Sequence, residues 1–351
     1  MSEPDLSRYS RQTCFAPLGV EGQRRLLAGR AVVCGCGALG SVAAETLARA
    51  GVGHLRIIDR DFVEWNNLQR QALFDEQDAA RRTPKAIAAA ERLSRINSQI
   101  EIEPIVADIT PHNVHKLLGG AEGVAGQVIV DGLDNFESRL LVNDAALSLG
   151  LPWIYAGCLG AEGQTLTFLP ARPGCLRCLL PEPPPPGELP SCDTAGVLGP
   201  IVNVIASFAA AEAIKILAGR ESATSPWLTV IDLWTNRARQ LDARRLGASG
   251  DCPACARRDF VWLRGERGSH AAVLCGRNAV QVSPPPGAAR IDLAALAVRL
   301  AALGRVESNP HLVRLAVGEY QITVFRDGRA IIGGTSDLSA ARSIYARYVG
   351  M

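Results

Sequence analysis

A long basic tract is missing from this sequence, and with it the usual means of following a phosphate backbone. The 37 Lys and Arg are nearly matched by 35 Asp and Glu, for a net charge of +2, and the cations are dispersed. No nucleic-acid partner is therefore expected. Long apolar runs are also scarce. Arg, Asp or Gly interrupts each one before the roughly eighteen residues a membrane helix needs, so no membrane partner is expected either. The opening Met1-Ser2-Glu3-Pro4-Asp5 is polar and acidic, unlike a secretory signal, and internal repeats are lacking. What remains is ordinary for a soluble globular protein: 48% apolar and 21% charged residues in a chain of 351. That length supports one large core plus a smaller unit, and the expected compartment is cytoplasmic.

Cysteine is present and patterned. Of ten, four form two Cys-x-x-Cys pairs, Cys175/Cys178 and Cys252/Cys255. In a chain expected to stay in a reducing compartment, such pairs point to metal or redox chemistry before disulfides. Two knuckles can close a four-cysteine tetrahedron around Zn²⁺, stapling the middle of the chain to the end of its first domain. A closed site has no open coordination position, so this metal is expected to be structural. The redox alternative needs a strand–helix junction, and neither pair lies at one. Cys192 lies in a proline-rich stretch, residues 181–200, read as a surface loop, and on residue type alone it is as consistent with an inert thiol as with a nucleophile. Cys14, Cys34, Cys36, Cys158 and Cys275 read as packing residues.

Organisation along the chain is α/β. Arg30–Cys34 reads as a buried strand, followed by a glycine turn, a helix over 41–50 and a second strand, His54–Asp59. A helix starting near Pro84, strands over 100–106 and 127–130, and a helix over 138–149 continue the alternation. Strands then dominate up to a helix over 202–217, apolar almost all round and therefore expected to be buried. The fold expected is a Rossmann-like, mostly parallel sheet flanked by helices over residues 1–260. A small α+β domain over 268–351 follows, in the order β-α-β-β-α.

Gly35, Gly37 and Gly40 form Gly-x-Gly-x-x-Gly between strand and helix, where backbone can approach phosphates at a helix N-terminus. The alternative reading is tight strand–helix packing. Asp59 ends the second strand, where a carboxylate can bind a ribose hydroxyl. NAD is the default for this fingerprint, yet the next residues argue against it. Asn66-Asn67-Leu68-Gln69-Arg70-Gln71 and then Lys85 bring amides and cations that a triphosphate needs and a dinucleotide does not. Asp131-Gly132-Leu133-Asp134-Asn135 ends another strand with carboxylates able to hold Mg²⁺ against phosphates.

Here a resemblance becomes specific. Arg8-Tyr9-Ser10-Arg11-Gln12, the Gly35–Gly40 turn, Asp59, Asn67-Leu68-Gln69-Arg70-Gln71, Pro84-Lys85, Asp134-Asn135 and Cys192-Asp193-Thr194-Ala195-Gly196-Val197 occur in the order seen in MoeB/ThiF/HesA adenylyltransferases. The likeness spans about residues 8–255. It implies ATP and Mg²⁺ as cofactors, with Asp59 on the ribose, Arg70 and Lys85 on the phosphates and Asp134 on Mg²⁺. Arg11 would act on the γ-phosphate side of a partner protomer, which requires a homodimer. Cys192 would be able to form a covalent sulfur or thioester intermediate. The implied substrate is the Gly-Gly C-terminus of a small ubiquitin-fold sulfur carrier, adenylated and then converted to a thiocarboxylate with sulfur from a donor such as a cysteine desulfurase, for thiamin, molybdopterin or related synthesis. Two departures stand out: Ala38 replaces a usual Gly, and the segment before Lys85, Asp75 to Thr83, is longer. The last eighty residues lack the Cys-centred loop of a rhodanese and suggest a ubiquitin-like module for partner docking or dimer support. Competing readings are adenylation of another carboxylate, a peptide C-terminus or a tRNA base, an NAD-dependent oxidoreductase, and a silent scaffold.

Overall fold

The computed structural model describes residues 5–119, 126–183, 195–267, 271–274, 278–284 and 290–350. The chain divides into a larger unit ending at Glu266 and a smaller one starting at Arg267.

The larger unit is built on one eight-stranded sheet of order β3-β2-β1-β4-β5-β6-β7-β8. Its parallel half comprises β1 (Arg30–Cys34), β2 (His54–Asp59), β3 (Glu101–Val106), β4 (Gln127–Asp131) and β5 (Trp153–Leu159). Ala31-Val32-Val33-Cys34 and all of β4 are buried, as parallel strands covered on both faces must be. The sheet then turns antiparallel through β6 (Glu162–Phe168), β7 (Trp227–Asp232) and β8 (Arg237–Asp242). Every residue of the edge strand β8 is exposed, so its sequence carries no alternation to read.

Among the described residues, helices α1 (Ser10–Thr13), α2 (Gly19–Ala28), α3 (Ala38–Ala50), α4 (Glu76–Arg81), α5 (Lys85–Ile96), α6 (Val114–Leu117), α7 (Phe136–Leu149) and α8 (Leu176–Leu179) precede α9 (Gly199–Leu217). α3 ends at Gly51, left-handed at φ 82°, where a side chain would also strike the ring of Tyr9. α9 packs on α3 and the middle strands through Ile201, Ile205, Ala209 and Ala213. Burial on all sides does not hold for it. Asn203, Ser207, Phe208 and Ala211 form an exposed stripe, with Phe208 43% exposed. By length and composition α9 is apolar enough to cross a membrane, contrary to the run-length reading, but just over half of that window is buried within the protein. Its buried Glu212 accepts from Thr167 Oγ1 at 3.0 Å, Ser225 N at 2.8 Å and Lys215 Nζ at 2.5 Å, which explains two charges in an apolar helix.

In the smaller unit six strands pair antiparallel throughout, in the order β11-β12-β13-β14-β10-β9. They are β9 (Ala271–Leu274), β10 (Ala279–Val282), β11 (Arg305–Ser308), β12 (Leu312–Val317), β13 (Tyr320–Phe325) and β14 (Ala330–Gly333). α10 (Leu293–Leu300) and α11 (Leu338–Tyr348) bury Leu296, Leu300, Ile344 and Tyr345 against Val280, Val313, Ile322 and Ile332. The element order is ββαββββα, with three strands more than the sequence order suggests. β10 and β11 are four residues each, and Arg305-Val306-Glu307-Ser308 carries a single apolar side chain. Asp327-Gly328 does turn β13 into β14, with Gly328 at φ 87°.

Candidate nucleotide site and four-cysteine site

The chain order reverses direction between β1 and β4, which opens a crevice beyond their C-terminal ends. The glycine turn lines it. A Cβ on Gly35 would come within 2.5 Å of Gly132 O, and one on Gly40 would collide with Gly35 O. These glycines, with Gly132, knit β1, α3 and the loop after β4, so the packing alternative accounts for them. It does not account for Gly37, whose nearest atom to an added Cβ is Gln71 Nε2 at 3.9 Å. Space is kept over Gly37 at the N-terminus of α3, and a Cβ would fill it. Gln71 is itself buried, and its Oε1 has no hydrogen-bond partner among the described residues. A buried polar atom beside an open backbone cradle fits a bound polar ligand. Ala38 starts α3 and packs against its core side.

Asp59 is buried at the end of β2. Its Oδ2 accepts from Cys36 N at 2.7 Å, inside the glycine turn, and its Oδ1 from Asp61 N at 2.7 Å. Burial raises its pKa, while Lys85 and the two N–H donors oppose the rise. Lys85 opens α5 and is almost wholly buried, its Nζ 3.5 Å from Asp61 Oδ2 and its N–H bonded to Asp61 O at 2.9 Å. The longer segment before it folds into α4, capped by Asp75, and Thr83 O accepts from Val63 N at 2.9 Å. Arg60 completes a charge chain: Nη1 lies 3.1 Å from Asp108 Oδ1 and Nε 3.9 Å from Asp61. Burial works against the Arg60 charge, but Asp108, then Asp61, Asp134 and Asp59, outweigh it and hold its pKa above the usual arginine range. Asp61, Arg60 and Asp108 were not singled out by sequence, because each alone looks like a solvated charge.

The remaining candidates divide by role. Asn67 is buried and caps a 3₁₀ turn, accepting from Glu64 N at 3.0 Å and donating to Asn66 Oδ1 at 2.9 Å. Asn135 caps α7, accepting from Ser138 N at 2.8 Å and donating to Asp134 Oδ1 at 3.1 Å. Both amides serve backbone, and Leu68 packs on the core. Asn66 and Gln69 are exposed, and Arg70 Nη1 bonds Asn66 O at 2.7 Å. Asp134 is exposed at the crevice, whereas Asp131 is buried against Arg139, Nε to Oδ2 3.1 Å. Arg139 also donates to Leu133 O at 2.6 Å and Ala156 O at 2.9 Å, and so fixes the loop that presents Asp134.

Arg11 lies elsewhere. Tyr9 OH accepts from Asn97 Nδ2 at 2.9 Å, and Gln12 Nε2 donates to Ala50 O at 2.8 Å, so the Arg8–Gln12 segment is anchored at the C-terminal end of α3. Arg8 bonds Ile96 O at 2.8 Å, while Arg11 is exposed and without a partner among the described residues. The glycine turn is at the other end of α3, thirteen residues or ~20 Å away.

Cys175, Cys178, Cys252 and Cys255 bring their sulfurs within 4.8 Å of one another. Cys175 and Cys252 sulfurs are 3.7 Å apart, and Cys178 and Cys255 sulfurs 3.4 Å. Four sulfurs ~2.3 Å from a tetrahedral centre lie about 3.8 Å apart, so the set fits Zn²⁺. Hydrogen bonding from Cys175 brings the Cys178 thiol down to about 5, against the effect of burial. Two consecutive α7 residues bind backbone at the first knuckle and at Trp262, seven residues past the second. Asn143 Oδ1 accepts from Leu176 N at 2.8 Å, and Asp144 Oδ2 from Trp262 N at 3.2 Å. Burial raises the Asp144 carboxyl to about 6. Of the cysteines read as packing, Cys34 and Cys36 are buried and Cys158 half-buried, but Cys14 is exposed. Cys192 and Cys275 fall outside the described residues.

An open cradle at a switch point, backed by a buried acid and flanked by cations, belongs to the nucleotide-binding α/β enzymes. Within that class, residues 9–254 match the ThiF family. The chain belongs to this family and is an adenylyltransferase. It is 45% identical over 344 residues to the sulfur carrier protein ThiS adenylyltransferase of Bacillus subtilis, covering 98% of this chain and 99% of that protein. It is 38% identical over 259 residues to the sulfur carrier protein adenylyltransferase of Thermus thermophilus, covering 72% and 92%. The crystal structure of Escherichia coli MccB with ATP aligns at a TM-score of 0.60 and 23% identity, over 72% of this chain and 75% of that one, a likeness of fold. Family membership sets the oxidoreductase reading aside.

Proposed function

We propose that this chain uses MgATP to adenylate the C-terminal glycine carboxylate of a small ubiquitin-fold sulfur carrier of the ThiS kind. The observation that carries the substrate is the 45% identity to a ThiS adenylyltransferase across nearly the whole of both chains. Asp59 binds the ribose, and the Gly35–Gly40 turn with the α3 N-terminus binds phosphates through backbone N–H groups. Lys85 and Arg70 neutralise the triphosphate, Lys85 sharing its charge with Asp61. Asp134 is the carboxylate that would hold Mg²⁺, which would offset the charge of the phosphates.

A carboxylate oxygen of the carrier attacks the α-phosphorus in line, the bond to the β-phosphate oxygen breaks, and an acyl-adenylate and pyrophosphate result. The protein's part is positioning and charge neutralisation. Arg11 serves the site of a second protomer, since the length of α3 separates it from its own glycine turn. A homodimer follows from that role. The terminal sulfur of a persulfide on a donor such as a cysteine desulfurase then displaces AMP to give an acyl disulfide. A thiol, for which Cys192 is the residue suited, attacks that S–S bond, releasing the thiocarboxylate and leaving a disulfide. Zn²⁺ held by the four cysteines ties residues 175–178 to 252–255. The smaller unit serves carrier docking or dimer support, and the pathway supplied is thiamin synthesis by the same likeness.

The test is exchange of labelled pyrophosphate into ATP, dependent on an added Gly-Gly-tailed carrier. Carrier-dependent exchange supports the proposal. No exchange with ThiS-type or any other Gly-Gly-tailed carrier overturns it.

A further inference from the structure

The strand order gives the crevice a direction. The glycine turn after β1 and the Asp134 loop after β4 lie on one side of β2, Asp59 ends β2 itself, and β3 lies on the far side. A nucleotide with its phosphates on the glycine turn and its ribose on Asp59 carries its base past the end of β3. Two charged residues stand there. Arg60 follows Asp59, and Asp108 lies two residues beyond Val106, the register partner of Asp59. Ala107 N donates to Asp59 O at 3.3 Å, so the two strand exits stay together. Arg60 Nη1 is 3.1 and 3.3 Å from the two Asp108 oxygens. The Asp108 loop is braced by Asn113, whose Nδ2 donates to Asp108 O at 2.8 Å and whose Oδ1 accepts from Thr110 N at 2.8 Å. Each side chain of the pair is about one-fifth exposed, which leaves an edge for a ligand.

We propose that the Arg60–Asp108 pair reads the base of the nucleotide and selects adenine over guanine, an inference that rests on the ATP reading above. A guanidinium held in place by a carboxylate offers a flat cationic face on which a purine stacks. An ionised carboxylate only accepts hydrogen bonds, so Asp108 pairs with the 6-amino group of adenine and repels the 6-oxo group of guanine. Phosphate binding needs neither residue.

Competition against a fluorescent ATP analogue on the wild-type protein is the first measurement, with ATP, GTP and purine riboside triphosphate, which lacks the 6-substituent. ATP is expected to displace the analogue at concentrations about tenfold or more below either rival. Equal displacement overturns the proposal without any variant. The second measurement is carrier-dependent pyrophosphate exchange by Asp108→Asn and Arg60→Lys, each checked for wild-type thermal unfolding. Asp108→Asn is expected to raise KM for ATP about tenfold and to narrow the ATP-over-GTP preference, with the effect in KM rather than kcat. Arg60→Lys keeps the charge but loses the plane, and should raise KM for both nucleotides. A folded Asp108→Asn protein with unchanged KM and preference overturns the proposal. Lack of exchange by the wild type counts instead against the carrier reading, and the competition assay still decides base selection.

Discussion

Replacing Arg139 with Met removes the cation from a buried pair while keeping most of its volume. Asp131 has no exposed side-chain surface and Arg139 has 8%, so the carboxylate would be left unpaired in the interior. Breaking such a pair costs about 3–5 kcal/mol, a large part of the 5–15 kcal/mol that typically holds a domain together. At roughly 2–4 °C per kcal/mol for a unit of this size, the melting temperature should fall by about 6–20 °C. The sign of the pH dependence provides a second check. Burial raises the folded-state pKa of Asp131, and losing the guanidinium raises it further. The folded variant therefore binds more protons than its unfolded chain above the unfolded pKa near 3.8. Its deficit should be full near neutral pH and shrink as pH falls through the raised folded value. Thermal and urea unfolding between about pH 5 and pH 8 measure both effects, and Arg139→Met/Asp131→Asn should recover most of the loss. A single-variant loss below about 1 kcal/mol, or no rescue by the double variant, would refute the buried-charge reasoning.

Glycine substitutions should separate packing from ligand space. Gly40→Ala is expected to lower stability markedly, because its Cβ meets the Gly35 carbonyl. Gly37→Ala should melt like the wild type yet raise KM for ATP, read by unfolding scans alongside pyrophosphate exchange. Zinc analysis of protein purified without added chelator should give about one ion per chain, falling toward zero in Cys178→Ser. A metal-free wild type that melts at the same temperature would argue against the staple. Mixing inactive Arg11→Ala and Lys85→Ala chains should restore exchange, because mixed dimers hold one site with both residues intact. Separate chains that remain inactive when mixed, despite proven subunit exchange, would rule out a shared site.

Local signals in the sequence carried the strand–turn–helix opening and the grouping of the four cysteines. Gly-x-Gly-x-x-Gly and Cys-x-x-Cys are short spacings, and the topology around them follows from alternation of apolar runs with helical ones. Long-range charge pairs were not legible. Asp131 with Arg139, and Arg60 with Asp108, join residues from different elements, and nothing local distinguishes such a charge from a solvated one. Asn67 and Asn135 have a second role that the motif does not show: an amide within a nucleotide motif also caps a helical turn. β8 and β11 escaped because exposed or very short strands lack period-two alternation. The position of Arg11 needed the packing of Tyr9 against Gly51, which no spacing encodes.

Helix α7 starts beside Asp134 and, eight and nine residues past its cap, lends Asn143 to the first cysteine segment and Asp144 to Trp262 beyond the second. It works as a beam with a reactant loop at its start and a thiol cage against its second half. Stripping or oxidising the cage would loosen the backbone that Asn143 holds through Leu176 N. An agent that never enters the crevice, such as a thiol oxidant, could in this way slow adenylation by tilting the beam.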